Sequence, residues 1–368
     1  MNRKFGSRVK VFYSEDHQYH NPPFEVFDGG ERVPYLENPE RMDKILHALD
    51  KTNWAEITEP TDFGLDPILA VHTPDYVSFL ATAWDDWQAT GKENSSKSGR
   101  PVMLPATFAL RRFPHRPSSL LGKAGYYMMD LSVGIVGGTY KAALASANCA
   151  LSGAKWIAED SKNLLSSSNP SLAAFALCRP PGHHAGKDYA AGYCFINNAA
   201  VAANLLSSGG NVALLDIDYH AGNGTQDIFY DRSDVLTLSL HADPSYEYPY
   251  YAGYLDEIGE GEGINFHHNF PLPSGIDDST YLATLDKALE IIRSYSPRYL
   301  VVSVGADIYM DDLLGKFKVT RKGFQQIGDR ISNLQLPTLL IMEGGYNNQA
   351  IGENVVSLIA GIINSIEI

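Results

Sequence analysis

Asp218-Tyr-His220 is the first place in this 368-residue sequence where residue type and spacing suggest chemistry. Residues two apart on an extended backbone point the same way, so a carboxylate and an imidazole share one face. Asp307, at the end of another apolar run, offers a third donor. Three protein donors leave one coordination position for water or substrate, the pattern of a catalytic rather than a structural metal such as zinc. Two carboxylates would offset most of the charge of a divalent ion. Such a site then needs a second electrophile to polarise a carbonyl. Tyr346 in Glu343-Gly-Gly-Tyr346 can fill that role. Paired glycines let the backbone approach closely, and a phenol can donate to a developing oxyanion.

His183 and His184 follow Pro180-Pro-Gly182, a stiff turn that fixes where two imidazoles project. They read as paired groups for general acid–base work, with a second metal site as the other reading. Each needs a partner to set its tautomer. Asp216, two before Asp218, can orient His183; Asn223 can orient His184 and, being neutral, leaves that ring less basic than an aspartate would. A lone Asp-x-His is more often salt-bridged or solvated than catalytic, and a buried, satisfied His pair is the plain alternative for His183 and His184. Their concurrence is what carries weight.

These residues sit just after short, nearly continuous apolar runs: Ala173–Cys178, Val212–Ile217, Tyr299–Val304 and Thr338–Met342, with Val9–Tyr13 and Val235–Leu240 of the same kind. Helical patterns lie between them, at Pro39–Leu49, Asp75–Trp87, Lys141–Ala158, Asn197–Leu206, Ser279–Ser294, Thr320–Leu334 and Gln349–Asn364. Apolar strands alternating with helices predict a single α/β domain over residues 1–368. Its centre would be a mostly parallel sheet with helices on both faces. Ligands of such sheets bind beyond the carboxyl ends of the strands, where the His, Asp and Tyr residues fall. Residues 88–123 break the pattern and read as an insertion loop, with Lys92, Lys97, Arg100, Arg111, Arg112, Arg116 and Lys123 against the single acid Glu93.

Composition sets the outer limits. Hydrophobic residues are 44% and charged residues 20%, enough apolar material for a real core. The formal net charge of −14 repels phosphate and argues against nucleic-acid binding, while favouring cationic ligands. Cys149, Cys178 and Cys194 form no disulfide framework or zinc-finger spacing. No membrane-length apolar run or signal core is visible, so a cytoplasmic enzyme with no membrane partner is the expectation. No Gly-x-Ser-x-Gly elbow, His-Glu-x-x-His helix, Gly-x-Gly-x-x-Gly turn or Walker loop competes with the site above.

Taken together, Arg179-Pro-Pro-Gly-His-His-Ala185, Gly192-Tyr-Cys-Phe-Ile-Asn-Asn198, Asp216-Ile-Asp-Tyr-His220, Gly222-Asn-Gly-Thr-Gln226, Ser239-Leu-His241 and Glu343-Gly-Gly-Tyr346 resemble the zinc-dependent histone deacetylase superfamily. Tyr13-Ser-Glu-Asp-His17, Asn38-Pro-Glu-Arg41 and Val71-His-Thr-Pro-Asp-Tyr76 extend the resemblance over nearly the whole chain. Its bacterial acetylpolyamine amidohydrolase branch is nearest, because Arg111-Arg112 and Gly125-Tyr-Tyr127 frame a similar insertion, which in that branch helps build a homodimer.

The resemblance implies the arginase/deacetylase fold and one catalytic zinc on Asp218, His220 and Asp307, with His184 as general base and acid and His183 as its electrostatic partner. Tyr346 would bind the substrate carbonyl, with Tyr193, Tyr248 and the Gly192 carbonyl lining a tunnel. It implies one or two structural potassium ions. The first would use carbonyls of Asp216, Asp218, His220 and Leu240 with the side chains of Asp216 and Ser239; the second would use carbonyls of Phe229, Arg232, Val235 and Phe266. Arg41 matches an arginine of an internal channel.

Two departures shape the substrate expectation. Ala221 replaces a histidine after the second zinc ligand, and Leu121 and Leu314 stand where polyamine-specific relatives carry glutamates. With no acidic reader visible, acetyl-lysine side chains of proteins are placed slightly ahead of acetylated polyamines as the substrate. An arginase-like ureohydrolase and a non-enzymatic binding module stand behind these. The first wants further carboxylates where Ala221 and Asn223 lie, and the second wants a broken constellation.

Overall fold

The computed structural model describes residues 9–27, 30–91, 101–111, 115–164 and 172–363. In chain order the elements are β1 (Val9–Phe12), β2 (Glu25–Val26), β3 (Arg32–Val33), α1 (Glu40–Leu49), β4 (Ala55–Thr58), α2 (Asp66–Leu69), α3 (Pro74–Ala89) and α4 (Leu120–Tyr127). They continue with α5 (Thr139–Leu164), β5 (Ala173–Ala176), α6 (Asn198–Ser207), β6 (Val212–Asp216), α7 (Asn223–Phe229), β7 (Val235–Ala242) and β8 (His267–Leu272). The last are α8 (Asp278–Tyr295), β9 (Tyr299–Val304), α9 (Arg321–Ser332), β10 (Thr338–Met342) and α10 (Ile351–Ile362).

Eight strands form one sheet in the order β4-β1-β5-β10-β9-β6-β7-β8. Every pairing in it is parallel. Because side chains alternate across a strand, β6 sends Ala213 and Leu215 to one face and Val212 and Leu214 to the other. The first face packs with Leu285, Leu289, Phe324, Ile327, Val355 and Leu358, from helices α8, α9 and α10. The second packs with Cys149, Ala150, Ala154, Ala199, Ala200 and Ala203 of α5 and α6. Small residues on these two helices let them lie close against the sheet. Both faces are thereby covered, which is why the central strands read as uninterrupted apolar runs.

Seven elements went unanticipated, the short β2, β3 and α2 among them. Strand β8, His-His-Asn-Phe-Pro-Leu, is polar and carries Pro271, which suits an edge strand where one side of the ladder has no neighbour. Strand β4 is also an edge, with only Ile57 strongly apolar. Helices α4 and α7 are too short to show a period. In the expected insertion, Arg111 bonds Asp188 at 2.5 Å and Arg116 pairs with Asp75, so these two bases tie the segment to the domain. Lys92, Lys97, Arg100 and Arg112 lie outside the described residues.

Two buried histidines, His17 and His72, favour the neutral form, and His72 also ties two loops together. His72 Nδ1 donates to the Gly186 carbonyl at 2.9 Å, and Nε2 accepts from the Asn197 N–H at 2.9 Å, so no acceptor remains for a second proton. Burial lowers it from 6.5 to about 4, and burial with the Arg179 charge lowers His17 to about 3. The unfolded chain therefore binds these protons first as pH falls. Their stability contribution is complete above pH 6.5 and is lost on descending towards the folded values, at about 1.4 kcal/mol per pH unit per group. Denaturant titrations should show stability dropping by several kcal/mol between about pH 7 and about pH 4.5, a large part of an ordinary domain's total. Equal unfolding free energies at the two pH values would show that neither ring resists protonation.

Candidate active site

The four strands that end in polar residues, β5, β10, β9 and β6, are adjacent in the middle of the sheet. Their carboxyl ends deliver residues 177–184, 343–346, 305–307 and 216–220 to one place. Asp218, His220 and Asp307 each present a ligand atom within 4.8 Å of the others, and all three are buried. His220 Nδ1 lies 3.3 Å from Asp218 Oδ1 and 3.2 Å from Asp307 Oδ2. The remaining carboxylate oxygens are held by backbone. Asp307 Oδ1 accepts from the Tyr219 N–H at 3.0 Å, and Asp218 Oδ2 from the Gly344 N–H at 2.9 Å. Two glycines make the crowding possible. A Cβ on Gly305 would fall 2.3 Å from Asp218 Oδ2, and one on Gly344 would fall 2.4 Å from Asp307 Oδ2.

These donors fit a divalent cation. Asp307 Oδ2 is buried and, although His220 Nδ1 lies 3.2 Å away, receives no well-directed hydrogen bond, which a carboxylate oxygen tolerates only at a cost. Burial and the neighbouring Asp218 charge raise Asp307 to about 7, while the two adjacent carboxylates of Asp218 and Asp307 overcome burial and lift His220 to about 10.

His183 and His184 stack beside the cluster with ring centroids 4.0 Å apart, and His184 lies 6.0 Å from His220. Their surroundings push them in opposite directions. His183 Nδ1 bonds Asp216 Oδ2 at 2.9 Å, and the charges of Asp218 and Asp216 outweigh burial to hold it well above the usual imidazole range. His184 Nδ1 bonds the neutral Asn223 Oδ1 at 2.7 Å, while burial and the charges of His183 and His220 keep it well below that range. The two surroundings thus favour the charged form of one imidazole and the neutral form of its neighbour, and the second partner of each ring differs accordingly. Glu343 adds to the first by accepting from the Gly182 and His183 N–H groups at 2.6 and 3.1 Å.

Tyr346 is buried, its ring packed against Tyr193 at 5.7 Å and beneath the Arg41 guanidinium at 5.3 Å. Arg41 itself donates to the carbonyls of Gly345 and Glu343, both at 2.6 Å, and pairs with Glu37 at 2.5 Å. Asp312 Oδ2 accepts from the N–H groups of Tyr346 and Asn347, fixing the turn. Tyr248 meets His184 edge-on at 4.9 Å. Gly192 has room for no side chain, since a Cβ would fall 2.3 Å from His184 Cδ2; its φ of +48 is followed by Tyr193 at +68. Leu314 packs with Tyr35, Tyr193 and Tyr346, whereas Leu121 lies on α4 and is 44% exposed.

The residues expected for potassium fall in two places. Asp216 and Ser239 are register partners on β6 and β7, with Leu240 next along, and Ser239 Oγ bonds His241 Nδ1 at 2.7 Å. Phe229, Arg232 and Val235 belong to the turn from α7 into β7, and the Phe266 carbonyl accepts from the Thr237 N–H at 3.0 Å. At Ala221 the absent imidazole leaves space for the loop after Tyr248: a Cβ on Gly253, whose φ is +103, would lie 2.6 Å from Ala221 Cβ. Sequence reasoning missed Glu25, Asp130 and Asp312. Glu25 and Asp130 are isolated acids and Asp312 is one of an adjacent pair, none in a motif, and only the fold brings them to the site.

The Histone deacetylase domain family matches residues 35–362. The chain is 43% identical over 354 residues to acetylpolyamine amidohydrolase 2 of Pseudomonas aeruginosa, covering 95% of this chain and 98% of that one. It is 40% identical over 357 residues to the acetylpolyamine amidohydrolase of Mycoplana ramosa, covering 96% and 99%. A crystal structure of acetylpolyamine aminohydrolase from Burkholderia pseudomallei superposes with a TM-score of 0.88 at 37% identity, covering 96% of this chain and 98% of that one. A metal-ready cluster on the shared sheet and a match over most of the chain agree: it belongs to the histone deacetylase domain family, whose members depend on a metal, and it is a hydrolase acting on amides.

Proposed function

We propose that this protein is a zinc-dependent deacetylase that releases acetate from acetylated polyamines. The carrying observation is the buried Asp218–His220–Asp307 cluster beside two imidazoles with different partners, the carboxylate of Asp216 for His183 and the amide of Asn223 for His184. The relatives reverse the order of substrates drawn from the sequence. They are named for acetylpolyamines, and acetyl-lysine becomes the second reading, kept because Leu314 rather than an acid stands near Tyr193 and Tyr346.

Asp218, His220 and Asp307 would hold the zinc, which when bound supplies a Lewis acid for the amide carbonyl and a more acidic water. Among the chain's own groups, His184 is the base. Its Nδ1–H is committed to Asn223, leaving Nε2 free to accept the proton of the attacking water. As the carbon–nitrogen bond breaks, that proton passes to the departing nitrogen, giving acetate and a primary amine. His183, held charged by Asp216, keeps its proton and stabilises negative charge nearby. Tyr346 donates its hydroxyl hydrogen to the carbonyl oxygen as charge develops there; burial keeps the phenol protonated throughout. Tyr193 and Tyr248 would flank the alkyl chain beside the Gly192 carbonyl.

The same reading includes one or two potassium ions at the Asp216–Ser239 and Phe229–Phe266 positions, a cytoplasmic location, and a homodimer formed through the insertion at residues 88–123. Among the described residues no helix is long and apolar enough to cross a membrane.

The test pairs metal analysis with competing substrates. One zinc per chain is expected, with acetylputrescine or acetylspermidine cleaved at least about tenfold more efficiently than an acetyl-lysine peptide, a difference of about 1.4 kcal/mol. A reversed ratio restores the acetyl-lysine reading. Zinc-loaded protein that hydrolyses no acetylated amine removes both.

A further inference from the structure

Each of the two tyrosines assigned to flank the substrate donates its hydroxyl to a carboxylate. Tyr193 Oη donates to Glu25 Oε2 at 2.6 Å, and Tyr248 Oη donates to Asp130 Oδ2 at 2.7 Å. The remaining contacts of both acids are with donors only. Glu25 Oε1 accepts from the Leu36 N–H at 2.8 Å. Asp130 Oδ2 also accepts from the Gly192 N–H at 2.8 Å, and its Oδ1 from the Ser132 N–H at 2.9 Å. Environments made of donors favour the ionised form. Burial works against them, lifting Glu25 to about 6 and raising Asp130 as well, which still leaves Glu25 ionised in mildly alkaline solution. Among the described residues, Glu37, Asp75, Asp188 and Glu247 each pair with an arginine or lysine, but neither Glu25 nor Asp130 does. Two carboxylates with no basic partner therefore stand at the hydroxyl ends of the two rings.

Resting on the deacetylase reading above, we propose that Glu25 and Asp130 are the specificity-determining residues for a cationic substrate chain, acting through the tyrosines rather than by direct contact at the rim. An aromatic face attracts an ammonium group through its quadrupole, and a phenol that donates to a carboxylate is more electron-rich. The carboxylate adds its own attraction one hydroxyl away, where partial exclusion of water weakens screening. Asp130 has a second part. By accepting from the Gly192 N–H it holds the backbone that enters the left-handed turn at Tyr193, so one carboxylate braces both sides. This arrangement answers the absence of an acid at Leu121 and Leu314: the reader is behind the walls, in residues that no local motif marks.

The experiment compares acetylputrescine with N-pentylacetamide, which has the same length and a methyl in place of the ammonium, on zinc-loaded wild type, Asp130→Asn and Glu25→Gln. Assays run at about pH 8, where the substrate ammonium and a carboxylate are both charged. Wild type should favour the cation, and each variant should lower the ratio of kcat/KM values by about threefold to tenfold, mainly through KM. Asparagine and glutamine keep the shape and an acceptor oxygen, and thermal unfolding of each variant reports its folding. If one variant fails to fold, the other decides. A ratio unchanged in a folded variant, or both substrates slowed equally, overturns the proposal and leaves these acids a structural role. A wild type that turns over neither amide sinks the deacetylase reading itself, and this proposal with it.

Discussion

Asp307→Asn should leave a folded protein that no longer retains zinc and whose turnover falls by more than about 10³-fold, well beyond the 10–100-fold that outer hydrogen-bond partners of a metal site are worth. Asparagine can still accept the Tyr219 N–H through its Oδ1, so the strand-end geometry keeps its tie. What it removes is the anionic Oδ2, the buried oxygen that faces His220 Nδ1 without a well-directed hydrogen bond. In the metal-free protein this loss should cost little, because Asp307 is crowded by the Asp218 charge and already held up to about 7. The sheet core, packed from both faces, does not depend on the cluster. Metal analysis, thermal unfolding and turnover of an acetylated amine separate these effects. A variant that keeps its zinc and its rate would remove Asp307 from the metal site.

Tyr346→Phe separates charge stabilisation from metal binding. The ring should remain where it is, because Arg41, Tyr193 and the Asp312-anchored turn position it without using the hydroxyl. Zinc content and KM should change little, while kcat falls by about 10²–10³, the usual effect of losing one oxyanion donor. The effect should be confined to kcat, because the hydroxyl strengthens its hydrogen bond only as the carbonyl oxygen gains charge. Normal kcat in this variant would make Tyr346 a packing residue. A drop accompanied by zinc loss would make it a support of the cluster.

Much of the site is written in short-range spacing. The strands that matter are buried on both faces, so each appears as an apolar run ending abruptly in Asp, His or Gly, and their alternation with amphipathic segments dictates a parallel sheet. Asp218 and His220 are two residues apart, and His183 and His184 follow a stiff proline turn, so their relationships are local and visible in the chain.

Strand order was not local. That β5, β10, β9 and β6 lie side by side, bringing Asp307 and Tyr346 to Asp218 from some 90 to 130 positions away, follows from how the helices cross over the sheet. Edge strands β4 and β8 escaped detection because an edge needs no continuous apolar run. The titration of the two histidines depends on burial and on charges from three separate segments, at 183, 216–220 and 343. Glu25 and Asp130 show the limit most clearly. Each is a solitary acid in its own stretch of sequence, and it gains meaning only because a tyrosine from more than 100 residues away ends within hydrogen-bond distance. Short-range periodicity records which face of an element is buried; it does not record what an element from elsewhere brings to the uncovered end.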